Sequence, residues 1–346
     1  MKDIAFPFEN QKQQKFIQID EDGYFLLNGI RTTENEFGKN LLDSLVKDDK
    51  NRFFVETNNV WACVEAFDEP YVAEMVQKLE GPQWSILLPY GLEKKFSLST
   101  LCVDEWDRFH GRCTNGIPFV FSRKAQAAFF DLVDAFEDDA FIVNGTRYET
   151  HPWLSDSDEA GCETFWTQIY KNEPHPPFDL GAPAKALEDI SAQLKLNKMR
   201  VAVIGAGKGH DAAFFAKQGH LVTAFDISPE AIHERKNLYG DLKNLEFIEA
   251  DILNLDKKYF SQFDLVFEHT CYCALPPKRR NDLVKVWKQL LAAEGHVLGI
   301  FFAMDKPNGP PFGGSEWELR ERFKKYFDFL YWTRWKNSIP RRLGKE

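Results

Sequence analysis

The stretch Val201-Ala-Val-Ile-Gly-Ala-Gly-Lys-Gly-His-Asp211, followed by Leu221-Val-Thr-Ala-Phe-Asp226, decides the fold. An apolar run enters a glycine-rich turn, a helix follows, and a second apolar run ends in an acid. That order opens a nucleotide-binding βαβ unit. A dinucleotide turn uses Gly-x-Gly-x-x-Gly, so that a pyrophosphate can sit on the helix N-terminus. Here the glycines are Gly205, Gly207 and Gly209, and His210 stands where the last glycine of a dinucleotide turn is expected. The spacing points to a nucleoside cofactor without a pyrophosphate. S-adenosylmethionine is the main candidate, and a nicotinamide-dependent oxidoreductase is the rival.

Outward from this turn, strands and helices alternate. Strands are predicted at 200–204, 221–226, 245–248, 264–268 and 296–303, and helices at 183–194, 209–218, 229–239 and 279–291. Such alternation specifies an α/β fold with a parallel sheet covered on both faces, and ligands bind beyond the C-terminal strand ends. Residues 1–150 read as a small α+β domain. Asp22-Gly23 and Asn144-Gly145 mark hairpins. Strands are also expected near Arg52, Val60 and Trp84, and Thr33 with Glu36 suggests a capping box for a helix through Leu45. An amphipathic helix is expected over Ser122–Phe136, with Ala125, Ala128, Phe129, Leu132 and Phe136 on one side. The polar, acidic run from His151, continued to residue 162, reads as a linker to the domain at 163–346.

The bulk numbers agree with two globular domains: 346 residues, 44% hydrophobic, with 31 Phe. A formal charge of −10 argues against nucleic acid or an anionic membrane as the main partner. A small-molecule partner is expected instead. No apolar run reaches membrane-spanning length, and MKDIAFPFENQKQQK has no apolar signal core. Six scattered cysteines fit a cytoplasmic chain with reduced thiols. Oligomeric state is not legible.

Several side chains are candidates for chemistry. Gly205 and Gly207 let the backbone bend and a ligand approach. Asp211 in the first turn of the following helix complements its dipole. Asp226 ends its strand where a carboxylate can accept from both ribose hydroxyls; the alternative is a helix N-cap, for which Ser228 is better placed. Asp251 could accept from an adenine amine and the Ile252 N–H donate to the ring, or Asp251 is a solvated loop acid. His269 leaves the fourth strand toward the reactive end of the cofactor, or is a surface loop histidine. Cys271 and Cys273, without a second Cys or His pair, do not make a zinc site; no metal is expected. Trp166 and Tyr170 share a helix face and Phe178 sits in a proline-flanked loop. Aromatic faces attract a sulfonium cation, but a packed core stripe explains the same pattern.

Residues 163–346 resemble the S-adenosylmethionine-dependent thiol/halide and thiopurine S-methyltransferase group. The family's Trp-x-x-x-Trp and Pro-Trp-Asp-x-Gly are similar to Trp166-x-x-x-Tyr170 and Pro177-Phe178-Asp179-Leu180-Gly181. Its Gly-Cys-Gly-x-Gly-x-Asp and Gly-Leu-Asp-Ile-Ser resemble Gly205-Ala-Gly207-Lys-Gly209-His-Asp211 and Ala224-Phe225-Asp226-Ile227-Ser228. Further matches run through Phe263–His269, Tyr272–Pro277 and Asn308–Phe312, and end at Ile339-Pro-Arg-Arg342-Leu-Gly-Lys-Glu346. The resemblance implies a class I methyltransferase, Rossmann-like and mostly parallel. It implies an aromatic lid and cofactor contacts at Trp166, Tyr170, Phe178, Gly205, Asp226, Asp251, Ile252 and His269, and Gly207 and Ile227 beside them are further candidates for cofactor contact.

The expected reaction is methyl transfer to a small soft nucleophile, most simply a thiol, releasing S-adenosylhomocysteine. His269 or a water is the candidate proton acceptor, and Arg342 and the Pro310-Pro311-Phe312 loop are candidates for acceptor contact. Halide, tellurite or selenium species and oxygen nucleophiles are alternative acceptors, and a non-catalytic cofactor sensor is a further reading. Three departures stand out. Two family tryptophans are Tyr170 and Phe178, and the family's tyrosine after the fourth strand is His269. Family members also continue past Glu346 into a last strand, so that sheet edge is expected to be short, absent or covered by the first domain. The N-terminal domain resembles only an uncharacterised bacterial domain family, through its opening Asp22-Gly-x-Phe25-x-x-x-Gly29 hairpin and that family's later Val-x-x-Gly-x-x-Tyr ending, to which the segment closing on Gly145 and Tyr148 is similar.

Overall fold

The run Arg200–Ile204 forms β1, the central strand of a five-stranded sheet in the computed structural model. Joined to it are β2 (Leu221–Asp226), β3 (Leu245–Glu249), β4 (Phe263–His269) and β5 (Leu291–Ile300). Their order is β3-β2-β1-β4-β5 and every pair is parallel. The helices are α1 (Glu163–Asn172), α2 (Lys185–Leu194), α3 (His210–Lys217), α4 (Pro229–Tyr239), α5 (Arg280–Leu290) and α6 (Glu316–Phe323). Successive residues of β1 point to opposite faces. Ala202 and Ile204 join one apolar cluster with Trp287 and Phe323, while Val201 and Val203 join another with Leu187 and Phe215. Burial on both faces explains the continuous apolar run in the sequence. Strand order reverses between β1 and β4, so the loops leaving their C-terminal ends diverge and open a crevice.

The structure describes residues 16–48, 52–57, 60–80, 83–104, 106–137, 139–152, 162–173, 175–194, 197–304 and 309–346. The N-terminal stretch, most of the expected linker and Asn308 therefore lie outside the described residues. The chain divides into two units, one reaching to Ser155 and one starting at Asp156. Among the described residues no helix is long and apolar enough to cross a membrane. The sheet of the second unit has five strands there and no sixth beyond β5.

The first unit holds sheets of six, three, five and three strands, with helices at Asn35–Asp43 and Arg123–Phe130. Its core is built on phenylalanine rings meeting edge to face: Phe96 with Phe119 at 5.1 Å, Phe109 with Phe129 at 5.2 Å, Phe129 with Phe141 at 5.3 Å.

Several local expectations are corrected. The helix at 35–43 has Glu34 at its N-cap and no side-chain cap bond, so Thr33 and Glu36 make no capping box. Packing places it instead: a Cβ on Gly38 would sit 2.3 Å from the Tyr90 ring, whose hydroxyl holds the chain before the helix at Phe25 N–H and the Thr32 carbonyl. The helix from Ser122 stops at Phe130, because Asp134 N–H joins the Ile142 carbonyl and draws 135–137 into a sheet. Phe136 thus lies on a strand and is exposed. His151–Pro152 pairs with Cys102–Val103 as a short strand and is not linker. The last strand starts at Leu291 and ends at Ile300, with a register shift against β4 between Phe263 and Leu265.

One polar cluster lies inside the first unit. His110 is 1% exposed, with Nε2 at 3.2 Å from Asp104 Oδ2 and Nδ1 at 3.5 Å from Glu69 Oε1. Arg108 bridges Asp104 and Asp68 at 2.7 and 2.6 Å. Burial pulls the His110 pKa down, but the bonds to Asp104 and Glu69 outweigh it and leave the imidazole raised. Burial pushes the Asp104 carboxyl up, and the bonds from His110 and from the Arg108 and Trp106 amides, with the Arg108 charge, bring it down to about 2. A raised histidine stabilises the fold fully below its unfolded pKa, about 6.5, and the gain is lost as pH rises through the folded value. Thermal unfolding of the His110→Gln protein is therefore expected to trail the unsubstituted protein most at pH 5.5 and least at pH 8.5. A gap that widens with pH would contradict this.

Candidate functional site

The crevice beyond β1 and β4 is a cavity of about 210 Å3, walled by the loops after β1 to β4 and by the segment around Trp166–Ala182. Its floor is the glycine turn. Gly205, Gly207 and Gly209 have φ of 53°, 52° and 81°, a region that side chains disfavour. A Cβ on Gly205 would lie 2.7 Å from both Cβ and Sγ of Cys271, and one on Gly207 would lie 3.0 Å from Tyr170 Oη. The glycines thus let the β4 exit loop and α1 approach as well as a ligand.

Asp226 ends β2 and is 8% exposed. Its Oδ2 accepts from Gly207 N–H at 2.8 Å and its Oδ1 from Ser228 N–H at 2.9 Å. The cap-type bond to the next helix belongs to Ser228, whose Oγ accepts from Ala231 N–H. A carboxylate has about four acceptor directions, so Asp226 keeps room for ligand hydroxyls. Asp251 accepts from Leu253 N–H at 2.9 Å and Asn254 Nδ2 at 2.6 Å, capping the short turn Ile252–Asn254. It is structured rather than merely solvated, and it lines the cavity with Ile227 and Ile252.

Trp166 and Tyr170 project from α1, and Phe178 stands edge-on to both rings at 5.8 Å. All three line the cavity. Burial, with the Asp226 charge beside it, holds the Tyr170 phenol well above its ordinary pKa. Next to Phe178, Asp179 is pinned to the glycine turn: Oδ2 lies 3.2 Å from Lys208 Nζ and Oδ1 lies 3.2 Å from His210 Nε2. Lys208 also meets Glu234 at 3.0 Å. Burial pushes Asp179 up, but His210, the Gly181 N–H and Lys208 together hold its carboxyl well below the usual range.

At the other end, His269 Nδ1 lies 2.8 Å from Asp211 Oδ2, and Arg342 Nη1 donates to His269 Nε2 at 2.7 Å. An arginine always donates, so Nε2 is an acceptor and Nδ1 carries the proton toward Asp211. Both ring nitrogens are engaged. In this arrangement Arg342 occupies the Nε2 lone pair of His269. Arg342 itself stands behind the wall, touching His269, the Phe178 carbonyl at 3.0 Å and the Phe302 ring face at 5.1 Å, and is not among the lining residues.

The remaining wall is a loop at Pro310 and Pro311. It is anchored by Arg280, which donates to the Gly313 carbonyl at 2.8 Å and to both oxygens of Glu318 at 2.9 and 2.8 Å. Glu318 also accepts from Arg322 at 2.9 Å and from the Tyr272 hydroxyl at 3.2 Å. Cys271 and Cys273 are buried thiols whose pKa burial raises, to about 12 for Cys273, so neither is poised as a thiolate. No metal-holding cluster occurs among the described residues.

The lining charges are Asp179, Asp211, Asp226 and Asp251 against Lys208. An acidic crevice with three aromatic faces, a strand-end carboxylate and two side-chain-free turn positions fits a cationic adenosyl cofactor. Sequence reasoning missed Lys208 and Glu234 and gave Asp179 no role, although Asp179 stands in the quoted Pro-Phe-Asp motif. Arg280→Met removes two bonds from buried Glu318 and is expected to cost about 3–5 kcal/mol in urea unfolding. A loss under about 1 kcal/mol would show that the network does not hold the loop.

A family model described as Thiopurine S-methyltransferase (TPMT) matches residues 162–340. "Probable thiol methyltransferase 2" of Arabidopsis thaliana is 26% identical over 177 residues, covering 50% of this chain and 74% of the relative. "Thiocyanate methyltransferase 1" of the same plant is 27% identical over 194 residues, covering 55% and 82%. Among solved structures, the 1,6-didemethyltoxoflavin-N1-methyltransferase of Burkholderia thailandensis aligns with a TM-score of 0.41 and 22% identity, over 56% of this chain and 87% of that one.

Proposed function

The chain belongs to the thiopurine S-methyltransferase family and is an S-adenosylmethionine-dependent methyltransferase, and from that premise we propose that its acceptor is a small thiol. Bound in the crevice, the cofactor supplies an electrophilic methyl group on a sulfonium. We place the ribose at Asp226, the adenine beside Asp251, Ile227 and Ile252, and the sulfonium end under Trp166, Tyr170 and Phe178.

The observation that carries the thiol reading is the other end of the cavity. Phe302, Pro310, Pro311 and Cys273 give the lining apolar surface in addition to the His269–Asp211 pair, and both His269 nitrogens are engaged. A nucleophile entering such a space must shed water easily and ionise without a side-chain base. A thiolate does both better than an alkoxide. Free thiols have a pKa of about 8.5, so a few per cent is ionised at neutral pH. The chain's residues hold the partners in line and exclude water, which is most of what this displacement requires. The two plant relatives are named for thiol and thiocyanate acceptors, which supports a soft sulfur nucleophile.

Asp226→Ala is expected to weaken S-adenosylhomocysteine binding by about 10- to 100-fold, the loss of a charged hydrogen bond, with an unchanged far-UV circular dichroism spectrum. Normal affinity would refute the ribose assignment. Product release can be followed across a thiol, thiocyanate, iodide, tellurite and a catechol. Turnover is expected with the thiol, rising about tenfold per pH unit below the acceptor's own pKa. Turnover confined to the catechol would sink the thiol reading.

A further inference from the structure

Glu346 and Arg342 face each other with side chains that are each 7% exposed. Glu346 Oε1 accepts from Arg342 Nη1 at 3.2 Å, and Oε2 accepts from Ser338 Oγ at 2.6 Å. The Glu346 carbonyl accepts from Trp335 N–H at 3.0 Å, and the Lys345 carbonyl from Ala303 N–H at 2.7 Å. None of these groups lines the cavity. Arg342 carries their hold to it, through Nη1 to His269 and Nη2 to the Phe178 carbonyl. A guanidinium is planar and its N–H directions turn together. A carboxylate that fixes the Nη1 edge therefore fixes the Nη2 edge, which grips the loop whose ring closes the crevice.

We propose that Glu346 is a positioning residue for methyl transfer: through Arg342 it clamps the Phe178 loop down on the cofactor. The proposal rests on the cofactor site described above and not on the identity of the acceptor. The loop is pinned at two successive residues, Phe178 by Arg342 and Asp179 by Lys208. Without the Glu346 carboxylate, Arg342 keeps His269 and the Phe302 ring but loses its only carboxylate partner among these contacts, and its hold on the Phe178 carbonyl loosens. The loop then opens from that side. An open loop does not hinder entry, so the loss falls on dissociation.

The test is S-adenosylhomocysteine binding to the full chain, followed by stopped-flow tryptophan fluorescence. Glu346→Ala is expected to raise the dissociation rate about tenfold and change the association rate less than about twofold. Glu346→Gln keeps an acceptor oxygen and is expected to stay within about threefold of the unsubstituted protein. Ser338→Ala removes one hydroxyl and is expected to raise dissociation about threefold, which keeps the test alive if Glu346→Ala fails to fold. Hydrogen exchange in the complex should quicken at residues 177–181 and not at α3. Unchanged dissociation in Glu346→Ala, or in Ser338→Ala where the former does not fold, overturns the clamp alone. Failure of the unsubstituted protein to bind S-adenosylhomocysteine overturns the site and the clamp together.

Discussion

The bond from Gly207 N–H to the Asp226 carboxylate ties the turn after β1 to the end of β2, and the crevice is organised around it. The chain must pass from strand to helix between Ile204 and His210, and it does so with three residues at positive φ. Such a turn would be loose by itself. Held by Asp226, which Ser228 N–H fixes in turn, it becomes a rigid floor. The carboxylate is aimed before any ligand arrives, so little ordering remains for binding to supply. Tyr170 and Cys271 approach this floor only because Gly207 and Gly205 have no Cβ.

Charge in the crevice is arranged in two kinds. Asp179 and Asp211 are engaged by charged or imidazole side chains, Lys208 and His210 for the first and His269 for the second. Asp226 accepts from main-chain N–H groups, and Asp251 from a main-chain N–H and an amide. The two acids proposed to meet the cofactor are therefore oriented by neutral donors. Deeper in, Glu268 at the end of β4 is wholly buried. Burial pushes its carboxyl up to about 8 despite bonds from the Tyr272 and Cys271 amides. That acid serves the shape of the loop after β4, not its charge.

The parallel sheet was legible because strands covered on both faces must be apolar throughout, and the glycines and Asp226 punctuate them. The predicted limits of β1 and β2 coincide with the observed ones. The last strand was misjudged where its register slips, a feature with no local signal. The Asn35–Asp43 helix and the break after Phe130 were set by Tyr90 and by pairing with Ile142, contacts that propensity does not encode. The same limit applies to the site. Asp226 and the turn are read from spacing, whereas Arg342 reaches His269 and Phe178 from 73 and 164 residues away. Only the folded chain shows that His269 is already satisfied.

The walls of the crevice come from short pieces scattered between Trp166 and Pro311. A fragment lacking any one of these pieces lacks part of the wall. Occupancy and folding are then linked, and a bound ligand stabilises the folded unit by mass action. The methyl donor is then a stabiliser of this unit as well as a substrate, by an amount that grows with its concentration over its dissociation constant.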